Sequence, residues 1–317
     1  MLPRTSRLSA VLALAVALAL LSAGSMAAAA SVKVLCENKV FDGFTRKLFV
    51  LDTPVDRDPT IQKVFRNCVF RNGNQPAIVI SNAQNVLIEG NTFDNIRTGK
   101  PGDGVHAINI PCRAPCKINN IIIRNNKFSR IGADGIQMGE ESRAISNVTV
   151  EGNVFTGSED VGENGVDIKG VNGPIYVVGN TFQGFRPCES PKLGGRQDCT
   201  GSRGVGMVIH AGSSSGPPNG VLVSRNRFLD NIIGLAVSKS ASNTTVRGNE
   251  FAGNRDTGML VTDVKSIKIL TNLFRDSKTH LSIENTPTSG GWCLLDGNQY
   301  LGSGSSVVLK NSTCKKP

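Results

Sequence analysis

Apolar and polar positions alternate along this chain in short runs, and most runs close on an asparagine followed two residues later by an aromatic. In Val86-Leu87-Ile88-Glu89, Val148-Thr149-Val150-Glu151 and Val221-Leu222-Val223-Ser224, β-branched residues occupy one side of the alternation. A period of two marks a strand with one buried face. The closing phrase recurs as Asn91-Thr92-Phe93, Asn126-Lys127-Phe128, Asn153-Val154-Phe155, Asn180-Thr181-Phe182, Asn226-Arg227-Phe228, Asn249-Glu250-Phe251, Asn272-Leu273-Phe274 and Asn298-Gln299-Tyr300, after a degenerate Cys68-Val69-Phe70. Its aromatics lie 23, 35, 27, 27, 46, 23, 23 and 26 residues apart. A second strand, led by glycine, follows most of them: Gly104-Val105-His106-Ala107, Gly135-Ile136-Gln137-Met138, Gly165-Val166-Asp167-Ile168, Gly204-Val205-Gly206-Met207, Gly234-Leu235-Ala236-Val237 and Gly258-Met259-Leu260-Val261.

A repeat of this length describes a solenoid, in which one coil cannot bury its apolar face alone. Two or three short strands per coil, with Gly and Asn at the corners and no helical periodicity after residue 31, predict an all-β parallel β-helix of about nine or ten coils. The repeated Asn is expected to take the left-handed conformation of a sharp corner and to bond its amide to the Asn one coil away. The repeated Phe is expected to stack inside the coil. A leucine-rich repeat is excluded, because its Leu consensus is missing.

Arg4 and Arg7, the apolar run Val11 to Leu21 and Ala28-Ala29-Ala30 read as a cleavable signal peptide over residues 1–30, hence a secreted or periplasmic protein. That run is too short to span a bilayer, and no later stretch is long enough. Residues 31–60 precede the repeat and are expected to cap the coil; 61–303 form the helix and 304–317 close it. A monomer is expected. The eight cysteines all follow the signal and read as disulfides. Proximity suggests Cys112 with Cys116, Cys188 with Cys199 and Cys293 with Cys314, which leaves Cys36 with Cys68, among many arithmetically open pairings. No Cys-x-x-Cys spacing supports zinc.

The formal charge of +10 favours a polyanionic partner, an acidic polysaccharide or a cell-wall glycan. Nucleic acid is not expected, since clustered Lys and Arg with interleaved aromatics are absent. Alignment of the coils on their leading glycines stacks Asp103, Asp134 and Asn164 before the Gly, with Arg203 next, and His106, Gln137 and Asp167 two after it. Lys169 follows on the same face, and Glu159, Asp160 and Glu163 crowd the preceding loop. Carboxylates so placed can ligate Ca²⁺, and a nearby lysine can abstract the proton α to a uronate carboxylate. Lys169 and His106 are thus the catalytic candidates, Asp103, Gln137 and Arg203 the substrate-binding ones, and Asp134, Glu163 and Asp167 the Ca²⁺ ligands. His210 and His280 read as corner or surface residues.

Val-Leu-Ile-Glu-Gly-Asn-Thr-Phe, Val-Thr-Val-Glu-Gly-Asn-Val-Phe and Asn164-Gly165-Val166-Asp167-Ile168-Lys169-Gly170 resemble the pectate-lyase-like superfamily of right-handed parallel β-helix proteins over about residues 61–303. The resemblance implies a carbohydrate-active or carbohydrate-binding protein, some members of that superfamily being Ca²⁺-dependent lyases with a lysine base. The signatures of polygalacturonases, of the main pectate lyases, of mannuronan epimerases and of pectin methylesterases are all missing. Two function classes therefore stand: a polysaccharide lyase or C5-epimerase, and a non-catalytic surface or matrix platform. A periplasmic accessory role ranks behind both.

Overall fold

The computed structural model describes residues 31–98, 104–112, 115–141, 143–158, 162–186 and 204–315. The expected signal peptide, Asp103, Glu159, Asp160, Cys188, Cys199 and Arg203 lie outside the described residues. Within them the chain winds into three parallel sheets of ten strands, and each coil contributes one strand to each sheet. A representative coil runs Gln84–Glu89, Thr92–Asp94 and Ile108–Ile110. The sole described helix is one turn, Pro54–Arg57, started by a capping box between Thr53 and Asp56.

The alternation places its β-branched side as expected. Val86, Ile88, Val148, Val150, Val221 and Val223 are buried along the inside of the first sheet. Inside the second sheet Phe41, Phe70, Phe93, Phe128, Phe155, Phe182, Phe228, Phe251, Phe274 and Tyr300 form one stack, with neighbouring centroids 4.6 to 5.3 Å apart. Each buried ring contributes about 1.5–3 kcal/mol through its removal from water. The facing glycines exist because of this stack. A Cβ on Gly165 would meet Phe182 Cδ1 at 2.6 Å, and one on Gly135 would meet Phe155 Cδ1 at 2.8 Å.

The repeated asparagines form a second ladder. Asn153 Nδ2 donates to Asn180 Oδ1 at 2.9 Å and to Ile123 O at 2.9 Å. Its Oδ1 accepts from the backbone and side-chain nitrogens of Asn126 at 2.9 and 3.0 Å. The left-handed corner falls elsewhere than predicted. It belongs to the residue before each ladder Asn, namely Gly90, Asn125, Gly152, Gly179, Arg225, Gly248, Thr271 and Gly297, and likewise to Asn67 before Cys68. The ladder Asn is therefore selected for its amide and the preceding residue for its backbone.

The coil also begins earlier than the repeat suggests. Ser31–Glu37, Val40–Asp42 and Phe49–Leu51 pair in parallel with Ile61–Arg66, Val69–Arg71 and Ile78–Ile80. The stretch expected as a cap is a full turn of the helix. At this end Lys63 occupies an inward position aligned with Val86, and its Nζ donates to Asp58 O and Gln84 O at 2.6 and 2.8 Å. At the other end Ser305–Lys310 completes the third sheet. His280 replaces the glycine there, its ring 6.1 Å from that of Tyr300. Disulfides join Cys112 to Cys116 and Cys293 to Cys314, as proximity suggests, and Cys36 to Cys68, the pair left over. Such bonds belong to an oxidising compartment. No described helix is long and apolar enough to cross a membrane.

Candidate functional site

The outward face of the third sheet carries one column through all coils: Val50, Val79, Asn109, Gln137, Asp167, Val208, Ala236, Leu260, Ser282 and Val308. Polarity is concentrated where Asn109, Gln137 and Asp167 stack. Gln137 and Asp167 are each only 4% exposed, although they lie between inward residues on strands of apolar sequence. Burying such groups is tolerable only when they find partners.

Gln137 is the hub. With its amide oxygen turned to Lys169 it accepts from Nζ at 2.9 Å, and its amide nitrogen donates to Glu140 Oε2 at 3.1 Å and His106 Nε2 at 3.2 Å. The reverse orientation would set acceptor against acceptor. Lys169 Nζ also lies 3.5 Å from Glu140 Oε1 and 3.6 Å from Asp167 Oδ2. His210 Nε2 lies 3.1 Å from Asp167 Oδ1. Behind this row the fully buried Asp134 accepts from Asn164 Nδ2 at 2.8 Å and faces His106 Nδ1 at 3.1 Å. The loop after Ile209 returns over the sheet, so that a Cβ on Gly212 would meet Lys169 Cβ at 3.3 Å and Glu140 O at 3.4 Å.

Electrostatics follow from this geometry. Burial works to lower the pKa of Lys169, but Asp167, Glu140 and Asp134 outweigh it and hold the ammonium above its ordinary value. Burial likewise works against the imidazolium of His106, and the Asp134 carboxylate reverses the balance, so its pKa is raised. Burial raises Asp134 itself beyond what His106 and Asn164 recover. The His106–Asp134 pair thus retains its proton more firmly than either group would in water.

Two register assignments made from glycines change here. Ala107, not Gly104, occupies the inward small-residue position, because Ile108 aligns with Ile136. His106 therefore stacks beside Asp134 rather than in the outward column with Gln137, and Asn109 takes the column position. In the later coil Gly206, not Gly204, matches Gly165, because Met207 aligns with Val166. Val205 then aligns with Asn164, the position assigned to Arg203. The same two-residue slip concealed His210, which falls opposite Lys169 and joins the site rather than a surface corner. Glu140 escaped notice because it lies in a loop beyond the repeat. His280, also expected near the surface, is 1% exposed.

Of the expected Ca²⁺ ligands, Asp134 and Asp167 already face partners within the protein. Asp134 is committed to His106 and Asn164, and Asp167 to His210 and Lys169. Among the described residues no three His, Cys, Asp or Glu side chains form a group that could hold a metal ion.

Residues 63–182 and 194–315 match the family described as the right handed beta helix region, and the chain belongs to that family. Among solved structures it is similar to the A-module of a mannuronan C-5 epimerase of Azotobacter vinelandii, at 13% identity over 88% of this chain and 87% of that one, with a TM-score of 0.51. It is also similar to PfbA, a surface adhesin of Streptococcus pneumoniae, at 14% identity over 89% and 70% of the two chains, with a TM-score of 0.55. At these identities the likeness concerns the fold. Comparison with curated protein sequences finds no match.

Proposed function

We propose that this protein is an exported β-helix that binds and acts on an acidic polysaccharide at the outward face of its third sheet. The observation that carries this reading is the burial of Gln137 and Asp167 on a column that is otherwise largely apolar, in contact with the partly buried Lys169 and His210 and, at the rim, with Glu140. Partly desolvated titratable groups brought together in this way, with Lys169 shifted among them, are the usual mark of a functional site. A structural neighbour named as a mannuronan C-5 epimerase supports a scaffold suited to glycans, and one named as a surface adhesin supports a scaffold suited to binding.

The chemistry that fits is removal of the proton α to a uronate carboxylate, leading to β-elimination or to C5 epimerisation. Lys169 is held protonated, so it serves as the cation that stabilises negative charge developing on that carboxylate, not as the base first assigned to it. His210 is the base: with Nε2–H turned to Asp167, Nδ1 takes the C5 proton, which in elimination passes to the leaving oxygen as the C4–O bond breaks, whereas in epimerisation solvent returns a proton to the opposite face of C5. His106 has one ring nitrogen toward Asp134 and the other toward Gln137, so it positions Gln137 rather than touching substrate.

The test is incubation with mannuronan, alginate and polygalacturonate, with Ca²⁺ or with a chelator, in deuterated water. The ultraviolet band of unsaturated uronate reads elimination and C5 deuterium reads epimerisation. One polymer should turn over, and His210→Ala and Lys169→Ala should each lose at least a hundredfold. Turnover undiminished in His210→Ala refutes the assignment. Binding without turnover selects the second reading, a non-catalytic platform, which is favoured by one feature: Asp167 and Glu140 already balance the Lys169 charge within the protein.

A further inference from the structure

The outward face of the first sheet carries a charge ladder that stops halfway. Glu37, Arg66, Glu89, Arg124 and Glu151 stand in register on successive coils, opposite signs adjacent. Arg66 pairs with Glu37 at 2.7 Å and Arg124 with Glu89 at 2.7 Å. Beyond Glu151 the column continues Val178, Ser224, Arg247, Leu270 and Asp296. Arg247 thus has serine and leucine as its ladder neighbours, and no ion pair holds it among the described residues. In the parallel column Lys268 stands between Thr245 and Leu294, again without an acid beside it. Its Nζ lies 5.4 Å from the ring of Trp292, the one tryptophan of the chain.

These cations border a groove of about 420 Å³ whose floor and walls include Leu222, Asn243, Thr245 and Leu270. Exposed aromatics stand at its two ends. Tyr176 is 36% and Trp292 39% exposed. Four coil spacings separate them, about 19 Å at the usual inter-strand distance. We propose that this groove binds a segment of anionic glycan, at a site separate from the cluster on the third sheet. Each element of the groove matches one part of such a chain. Arg247 and Lys268 meet carboxylates, Arg247 with the bidentate geometry that suits them. Asn243 and Thr245 meet hydroxyls, while Leu222, Leu270 and the Trp292 face meet the apolar faces of the rings. Single-stranded nucleic acid would instead need aromatics at successive base positions, and two rings this far apart do not supply them.

The experiment measures binding of fluorescent alginate to the full protein, with dextran and single-stranded DNA as competitors and with salt varied. Arg247→Ala/Lys268→Ala should weaken binding at least tenfold and flatten its salt dependence. Trp292→Ala should weaken it severalfold. All three side chains are exposed, and a thermal melt of each variant checks that the coil is intact. Turnover of short uronate oligomers at the third sheet should persist in the double variant, so failure of this site and failure of the catalytic reading are distinguishable. Wild-type affinity in the double variant, no alginate binding by the wild type, or equal competition by dextran overturns the proposal. Stronger competition by DNA overturns the glycan assignment in favour of nucleic acid.

Discussion

Replacing Asn153 by alanine removes one rung of the amide ladder at its most enclosed point. Asn153 is fully buried. Its side chain donates to Ile123 O and Asn180 Oδ1 and accepts from the backbone and side-chain nitrogens of Asn126. Alanine leaves Ile123 O without that donor and both Asn126 donors without their acceptor. Asn180 Oδ1 keeps only the bond from the Asn153 backbone nitrogen. Each buried group left unpaired costs about 1–3 kcal/mol, so three such groups cost on the order of 3–6 kcal/mol with partial relaxation. That is a large share of an ordinary folding free energy of about 5–15 kcal/mol. Asn298→Ala is the comparison. Its residue is only partly buried and the last in the ladder, and no further asparagine accepts from it. It should cost about half as much, since water reaches the freed groups. Urea unfolding of the two variants with disulfides intact, followed by circular dichroism, measures the difference. A loss below about 1 kcal/mol for Asn153→Ala, or equal losses for both variants, would refute the account of the ladder as buried and mutually dependent.

Gly165→Ala should destabilise by about 1–3 kcal/mol through overpacking, because its Cβ would lie 2.6 Å from Phe182 Cδ1; an unchanged melting temperature would contradict the close approach. Thr271→Gly should do the opposite. A β-branched residue held at φ 51° carries strain of about 1–2 kcal/mol, partly offset by the entropy of glycine, so a small rise in melting temperature is expected and a fall would count against it. The raised pKa of His106 fixes the sign of a pH effect. The folded state holds that proton more tightly than the unfolded chain, so the stabilisation is complete below the ordinary value of 6.5 and is lost as pH rises through the raised folded value. Stability of the wild type should therefore fall more steeply above pH 6.5 than that of His106→Gln; matching slopes in denaturant titrations across that range would remove His106 as the cause.

Most of the frame was legible because it is written in repeated letters. Phe at a fixed distance from a β-branched run specifies a stacked ring, and Asn two residues earlier specifies a buried amide. The first coil was missed because Phe41 is preceded two residues earlier by Lys39, with Asn38 displaced to the left-handed corner at φ 50°. No ladder Asn therefore announced that coil. The site was half legible for a related reason. Gln137, Asp167 and Lys169 sit in coils whose leading glycine is the inward one, so counting from it placed them in their columns. Gly104 and Gly204 are not inward, since alanine is small enough for the first coil and Gly206 serves in the later one. Those offsets moved His106 to a neighbouring column and concealed His210. Sequence spacing cannot see such an offset when two small residues compete for one place.

Asn180 and Asn226 are 46 residues apart and their amides meet at 3.0 Å; Asn226 and Asn249 are 23 apart and meet at 3.0 Å. The fold therefore measures distance from coil to coil and is indifferent to distance along the chain. Segments of any length can be spliced in after the aromatic strand without altering pitch or register, provided both ends return to the same corner. That makes the edge before the third sheet a docking port for new sequence, and the walls of the polar column the part of the molecule that can be rebuilt without touching its spine.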